Sequence, residues 1–326
     1  GPDSAGADPG PAAYGNGGPL TITDCNVVLG KLRPEYFPHV FGPDGDQPLD
    51  IGAVEAGFVA MAAEVAEASG RETTPAEVAE GFLAIAVDNM ANAIKKISVQ
   101  RGYDITAYTL VCFGGAGGQH ACLVADQLGI ERVHIHPHAG VLSALGIGLA
   151  DVRHVVDSAV EAVLADDALD ALGPRWRELE RDGVAAVEAQ GVPSERITAR
   201  RRLALRYQGS DTALSVDAGD LAGVVAGFET VHRGRFGFIS PDTPLIIESM
   251  QVETIGASDA ALAVDAHERT GRAATAHDAT MAGTTGRATF VDRTALAADE
   301  TVEGPAVIIE ATATTVVEPG WAARAT

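Results

Sequence analysis

Basic residues are scarce in this sequence. Lysine and arginine together number 23 against 45 aspartates and glutamates, which gives a formal net charge of −22 at pH 7. A surface this acidic repels nucleic acid and anionic membranes, so neither is expected as a partner. Lysine occurs only at positions 31, 95 and 96, which excludes the phosphate-binding pattern GxxxxGK[ST].

Cysteines and long apolar runs are scarce as well. Three cysteines, Cys25, Cys112 and Cys122, make an odd and low count, which favours a reducing compartment and predicts a cytoplasmic protein. Their spacing is not that of a zinc site, and buried, unreactive thiols are predicted. No apolar run is long enough to span a membrane.

Aromatic residues make up only 5% of the chain, whereas hydrophobic residues as a whole reach 46%. Alanine and valine supply much of this content, so we expect a packed core of small side chains. A length of 326 residues predicts about two domains. A change of character along the chain places them at 1–155 and 156–326.

The most informative stretch runs from Leu110 to Leu128. An apolar run ending at Phe113 meets a glycine-rich turn, and a helical pattern starts at Gln119. Glycines let a ligand lie against bare peptide, and a helix N-terminus attracts anions. This strand, turn and helix predict a nucleotide or anion site; a turn that is glycine-rich only for packing is the alternative.

Two long helices are predicted before this stretch, after a short helix that Thr23 or Asp24 caps and that ends at Gly30. Apolar spacing indicates the first over 53–68, and Thr74, Pro75 and Glu77 predict the start of the second as a capping box with proline at its first position. This second helix is predicted to run to Gly102. Its apolar face is predicted to comprise Val78, Phe82, Ile85, Ala86, Met90, Ala93, Ile94 and Ile97.

Elements after the glycine turn complete an α/β pattern. Residues 132–136 alternate like a strand, and 141–150 predict a helix of small residues. The order helix, strand, helix, strand, helix is typical of α/β layers. Further along, strands are predicted at 197–207, 212–216, 245–256, 306–309 and 315–317, with a charged helical stretch over 166–190. The second half is therefore predicted to be α+β and more antiparallel.

Six segments carry a family resemblance and keep their order along nearly the whole chain. They are GPDSAGADPGPAAYGNGGPLTITDCNVVLGKL, FGPDGDQPLD, FGGAGGQHAC, IHPHAGVLSALGIGLADV, LRYQGSDTAL, and EGPAVIIE with TTVVEPGW. Together they resemble the hydantoinase/oxoprolinase family. Within it, FGPDGDQPLD and RYQGSDTAL make the chain most similar to the hydantoinase A-type part of the ATP-dependent 5-oxoprolinases.

The resemblance implies an α/β, actin-like ATPase fold of the sugar kinase and Hsp70 type, followed by a smaller α+β domain. In such folds two phosphate motifs and one adenosine motif close around ATP. The family's phosphate motifs lie upstream of the first residue here, so an upstream phosphate-binding segment is expected and this chain alone is half a cleft. The residues implied to bind the cofactor are Gly114, Gly115, Ala116, Gly117, Gly118 and Gln119.

The chemistry implied by the resemblance is the opening of a small cyclic amide by ATP and Mg²⁺. Phosphoryl transfer to the lactam oxygen would activate it, and a hydantoinase B-type subunit or domain would hydrolyse the intermediate. Asp8 and Asp24 are implied Mg²⁺ ligands. His120 is a candidate general acid or hydrogen-bond donor, with a capping or buried histidine as the alternative. The candidate catalytic residues are Asp3, Ser4, Asp8, Asp24 and His120.

Two other functions stay open at this point. An alternative within the family is the ATPase part of an N-methylhydantoinase or of a ketone carboxylase, in which the glycine turn would be the same and the substrate pocket different. A non-catalytic structural subunit of such a complex is the third possibility. In each case we expect an oligomer.

Overall fold

The protein is a mixed α/β structure. A computed structural model describes residues 4–98, 102–260 and 274–326. In the part of the chain that it describes, no helix is long and apolar enough to cross a membrane.

The chain folds into two compact units. One contains Gly1–Leu145 together with Val264–Thr326, and the other contains Gly146–Ala263. The two consecutive domains predicted at 1–155 and 156–326 differ from this arrangement. The difference arises because residues 274–326 belong to the first unit. They form hydrogen bonds and an ion pair with residues near the start of the chain.

Helices dominate the first part of the chain, and a pair of short strands lies among them. Contacts of α1 and α2 with α3, and of α3 with α4, form the helical core. The elements are α1 (Ile22–Val28), α2 (Ile51–Ser69), α3 (Pro75–Ser98), β1 (Leu110–Cys112), α4 (Ala121–Leu128), β2 (Val133–Ile135) and α5 (Leu142–Leu149).

The predicted start of α3 is confirmed. The amide of Thr74 donates to the Glu77 carboxylate at 2.8 Å, and the amide of Glu77 donates back to the Thr74 hydroxyl at 3.2 Å. Helix α2 begins in a related way, because the Asp50 carboxylate accepts from the Ala53 amide at 2.9 Å. Side chains at the first turn satisfy N–H groups that have no partner inside the helix.

Helix α3 buries only part of the face that its apolar spacing predicts. Val78 packs into the core as predicted, whereas Phe82 is 40% exposed, Ile85 59% and Ile97 63%. The helical period was right, but the helix is apolar on more than one side, so periodicity alone could not choose the face. The side chains that pack into the core are Val78, Ala79, Leu83, Val87 and Ala91.

The strand, glycine turn and helix predicted around 110–128 are confirmed. Strand β1 ends at Cys112, and a short 3₁₀ turn over Gly117–Gln119 precedes α4, which begins at Ala121 rather than at Gln119. Strands β1 and β2 pair in parallel, with Leu110 opposite Val133. Helix α4 is thus the crossover between two adjacent parallel strands.

The second unit is an antiparallel sheet with helices, as the alternating patterns predicted. The strand order is β3-β6-β4-β5, and every neighbouring pair is antiparallel. Strand β3 was missed in the sequence, although its side chains alternate between exposed and half-buried along its length. The elements are β3 (Val152–Val163), α6 (Asp166–Ala171), α7 (Gly173–Glu188), β4 (Ile197–Tyr207), β5 (Leu214–Asp217), α8 (Leu221–Phe236) and β6 (Leu245–Gly256).

The last part of the chain forms two small sheets in the first unit. One has the strand order β11-β10-β8-β7, and the other pairs β12 with β9. The amide of Thr280 donates to the carbonyl of Leu29 at 2.8 Å, which ties the larger sheet to the turn after α1. The strands are β7 (Thr275–Met281), β8 (Thr284–Asp292), β9 (Thr301–Glu303), β10 (Ala306–Ile309), β11 (Thr314–Val317) and β12 (Ala322–Arg324).

Candidate functional site

The loops that follow β1 and β2 lie side by side. Because the two strands are parallel, their carboxyl ends meet at one edge of the sheet. The amide of Gly114, just after β1, donates to the carbonyl of Ala139, beyond β2, at 2.7 Å. In open α/β sheets ligands bind at the carboxyl ends of strands, so this edge is the candidate site.

The first half of the glycine turn is open to solvent. Gly115 and Ala116 are exposed, whereas Gly118 and Gln119 are buried. Gly114 has a φ of +94°, in the region that favours glycine, and no atom lies within 4 Å of the position of an added Cβ. The stretch Gly114–Ala116 therefore offers bare peptide to a ligand.

The second half of the turn is glycine-rich for packing. A Cβ added at Gly117 would lie 2.8 Å from the Cys112 sulfur, and one at Gly118 would lie 2.7 Å from the Thr315 hydroxyl. Cβ atoms in proteins essentially never come so close, so a larger residue at either position would displace its neighbour. The two explanations given by the sequence thus apply to different glycines of the same turn.

Gln119 joins the turn to α1. Its side-chain oxygen accepts a hydrogen bond from the side-chain Nδ2 of Asn26 at 2.8 Å, and both side chains are buried. The side-chain oxygen of Asn26, Oδ1, is buried without a hydrogen-bond partner among the described residues. Gln119 therefore holds the turn against α1, and its role in binding a cofactor stays a prediction.

A buried ion pair lies near the same turn. The Lys31 ammonium contacts the Glu318 carboxylate at 2.6 Å, and each side chain is only 2% exposed. Lys31 follows α1 and Glu318 follows β11, so the pair joins the two ends of the first unit. No local pattern in the sequence marks the two residues as partners.

His120 directly precedes α4 and is neutral. Burial, and secondarily the Lys31 ammonium, lower the pKa of its imidazole from 6.5 to about 4. Its Nδ1 is buried without a hydrogen-bond partner among the described residues. A neutral imidazole accepts or donates a hydrogen bond, but at pH 7 it is not a charged acid. Of the two predicted roles, this favours hydrogen bonding over general acid catalysis.

The lowered pKa of His120 makes stability depend on pH. We expect the free energy of unfolding to fall as the pH drops from 6.5 towards about 4. In this window His120 is protonated in the unfolded chain but stays neutral in the folded protein. Urea titrations at several pH values, on the wild type and on His120→Gln, measure this contribution. A difference between the two proteins that does not change with pH contradicts it.

Asp24 organises the loop before α1. One carboxylate oxygen accepts from the Ala13 amide at 2.8 Å. The other accepts from the Ala12 amide at 3.2 Å and from the amide and hydroxyl of Thr21 at 2.7 and 2.9 Å. The side chain is fully buried. Four protein hydrogen bonds already occupy this carboxylate, and its catalytic and metal-binding roles stay predictions.

The remaining predicted residues lie near the start of the chain. Asp3 is outside the described residues. Ser4 is exposed, and its hydroxyl accepts from the Gly6 amide at 3.1 Å; Asp8 is exposed as well. Across 4–98, 102–260 and 274–326, no three histidine, cysteine, aspartate or glutamate side chains are arranged to hold a metal ion. The structure therefore does not bring Asp8 and Asp24 together in such a site.

A large groove lies apart from the glycine turn. It has a volume of about 890 Å³ and borders the whole of β2, part of α4 and the end of the chain from Gly320. None of the residues Gly114–Gly118 lines it. Strand polarity and this groove thus indicate different places, and we favour the strand ends because they expose peptide groups and glycine conformations suited to a ligand.

The family comparison matches the first half of the chain. The hydantoinase/oxoprolinase family model matches residues 1–156. The 5-oxoprolinase of Saccharomyces cerevisiae is 36% identical over 98% of this chain, which covers 26% of that protein. The chain thus spans about a quarter of the length of that curated relative.

Solved structures share the fold. The nucleotide-free structure of an acetone carboxylase, from work on ATP-dependent acetone carboxylation, superposes with a TM-score of 0.81 at 21% identity, covering 99% of this chain and 47% of that chain. The crystal structure of the ATP-dependent caprolactamase of Pseudomonas jessenii superposes with a TM-score of 0.67 at 26% identity, covering 98% and 48%. Subunit alpha of a caprolactamase from the same organism is 28% identical over 98% of this chain and 47% of its own length.

Proposed function

Because the chain belongs to the hydantoinase/oxoprolinase family, we propose that it is part of an ATP-dependent cyclic amidase and forms the adenosine side of its ATP site. The observation that carries the proposal is the exposed peptide of Gly115 and Ala116, beside the half-buried Gly114, at the carboxyl ends of β1 and β2. In an actin-like arrangement of this unit, adenosine would lie on this stretch. The similarity to 5-oxoprolinase supports a lactam as the substrate.

The residues at this edge fit the nucleoside part of ATP. Gly114 leaves open space where a side chain would stand, and Gly115 and Ala116 are exposed beside it. When bound, ATP supplies a phosphoryl group that activates an amide carbonyl towards hydrolysis. This chain's own contribution is to hold the nucleoside through peptide groups and to place the neutral imidazole of His120 near it.

For Mg²⁺, Asp8 and Asp24 stay the proposed ligands within this sequence. The Asp24 carboxylate accepts four hydrogen bonds, and no cluster of three ligands is present among 4–98, 102–260 and 274–326. We propose that phosphate ligands, and any further metal ligands, come from a segment outside this sequence. We propose an upstream phosphate-binding segment and a hydantoinase B-type subunit or domain as partners. The caprolactamase relative is itself named as a subunit alpha, which supports the presence of a second kind of subunit.

A charge placed on the exposed turn tests the ATP site. We expect Ala116→Glu to weaken Mg·ATP binding at least tenfold, because its side chain would occupy the surface proposed for the nucleoside and would lose its hydration when the nucleoside binds. Ala63→Glu introduces the same side chain at an exposed position of α2 and should leave binding unchanged. Calorimetry on the full-length protein, with thermal unfolding as a check on folding, measures both. Equal affinity of the two variants contradicts the assignment.

The substrate is tested by ATP hydrolysis in the complete complex. We expect 5-oxoproline to stimulate hydrolysis more than N-methylhydantoin or a simple ketone does. Stimulation by one of the latter instead would identify the N-methylhydantoinase or ketone carboxylase alternative. Absence of ATP binding by the full-length protein would leave the structural-subunit alternative.

A further inference from the structure

The tip of the β10–β11 hairpin reaches the glycine turn. The two strands pair up to Ile309 opposite Thr314, and the amide of Glu310 donates to the carbonyl of Ala313 at 3.0 Å. Residues 310–313 therefore form a tight hairpin tip. Just beyond it, the amide of Thr314 donates to the carbonyl of Gly115 at 3.3 Å. This bond attaches the hairpin to the exposed part of the turn after β1.

Thr312, in the hairpin tip, lies against the loops after both parallel strands. A Cβ added at Gly115 would be 3.0 Å from the Thr312 carbonyl oxygen. A Cβ added at Gly140 would overlap that carbonyl and lie 2.6 Å from the Thr312 hydroxyl. Gly115 follows β1 and Gly140 follows β2, so Thr312 stands at the edge where the carboxyl ends of the two strands meet. Because Gly115 and Gly140 have no side chains, Thr312 can lie against both loops.

The hydroxyl of Thr312 is available to a ligand. The residue is exposed, whereas its neighbours Ala313 and Thr314 are buried. Within the part of the chain that the structure describes, no hydrogen bond engages the Thr312 hydroxyl. A hydroxyl can donate one hydrogen bond and accept two, which matches the mixed donors and acceptors of an adenine edge or a ribose.

We propose that Thr312 is a binding residue for ATP and that the hairpin tip borders the adenosine site, next to the loops after β1 and β2. Its hydroxyl bonds to the nucleoside part of a nucleotide that lies on Gly114–Ala116. The tip holds no cation, so it does not recognise the phosphates. This inference rests on the proposed function and extends the site to a segment far along the chain from the glycine turn.

Removal of the hydroxyl alone tests the inference. Thr312→Val keeps the shape of the side chain and the backbone of the tip. We expect it to weaken binding of Mg·ATP and of ADP by the same factor, about five- to tenfold, because one ligand hydrogen bond is lost and the γ-phosphate is not involved. Calorimetry on the full-length protein is the measurement. Thr284→Val is the matched control, since Thr284 is also exposed and begins β8, beside the turn that joins it to β7 in the same sheet.

Each outcome decides between the two proposals. Weaker ATP and ADP binding by Thr312→Val, with Thr284→Val and the unfolding temperature unchanged, supports the contact. Normal binding by Thr312→Val overturns it and leaves the ATP site in place. A loss confined to ATP overturns the placement at the nucleoside. If the wild type binds neither nucleotide, the proposed function itself fails, and this inference fails with it.

Discussion

Replacement of Lys31 by methionine is expected to lower the free energy of unfolding by roughly 3–5 kcal/mol. The change removes the cation from a pair whose side chains are each 2% exposed, and it leaves the Glu318 carboxylate buried without a counter-charge. One oxygen of that carboxylate already has no hydrogen-bond partner among the described residues. Urea unfolding of the wild type and of Lys31→Met measures the loss.

A double replacement separates the burial of charge from the loss of contact. Lys31→Met combined with Glu318→Leu removes both charges of the pair, and we expect it to recover most of the stability lost by Lys31→Met alone. Buried ion pairs replaced by apolar side chains of similar volume are often neutral in stability. A double variant as unstable as the single one would show that the pair contributes through its shape, and not through the cost of an unpaired charge.

Replacement of Gly140 by alanine is expected to destabilise the protein by roughly 3 kcal/mol. The added methyl group would overlap the carbonyl of Thr312, which is backbone and cannot rotate away. The hairpin tip would have to move from the loops after β1 and β2. Denaturant unfolding measures the loss of stability, and weaker ATP binding should accompany it if the tip borders the site.

Gly81→Ala is the control for this substitution. Gly81 lies within α3, and nothing is found within 4 Å of the position of its added Cβ. Alanine there should stabilise the protein by about 0.5–1 kcal/mol, because glycine is a poor helix former. If the two variants change stability alike, the close approach at Gly140 does not exist in solution.

Local patterns in the sequence predicted the elements well. The capping box of Thr74 and Glu77 forms as expected, and the turn at Gly114–Gly118 does separate a strand from a helix. These features depend on residues a few positions apart, whose geometry is set by backbone conformation and short-range hydrogen bonds. The family resemblance came from the same kind of local evidence, namely motifs that keep their order.

Local patterns did not predict which face of a helix is buried or which distant segments pack together. Helix α3 carries apolar side chains on more than one side, and only its packing against α1, α2 and α4 decided that Leu83 is buried and Ile85 is exposed. The sequence predicts a continuous second domain, because the return of the last segment to the first unit leaves no local signal.

The sequence by itself determined the family, the strand, turn and helix around the glycines, and the antiparallel character of the middle of the chain. The tertiary structure decided which glycines are open and which are packed, that His120 is neutral, and that Lys31 meets Glu318. It also placed Thr312 beside Gly115 and Gly140. The physical reason is that each of these depends on desolvation or on close approach between distant segments, which arise only when the chain has folded.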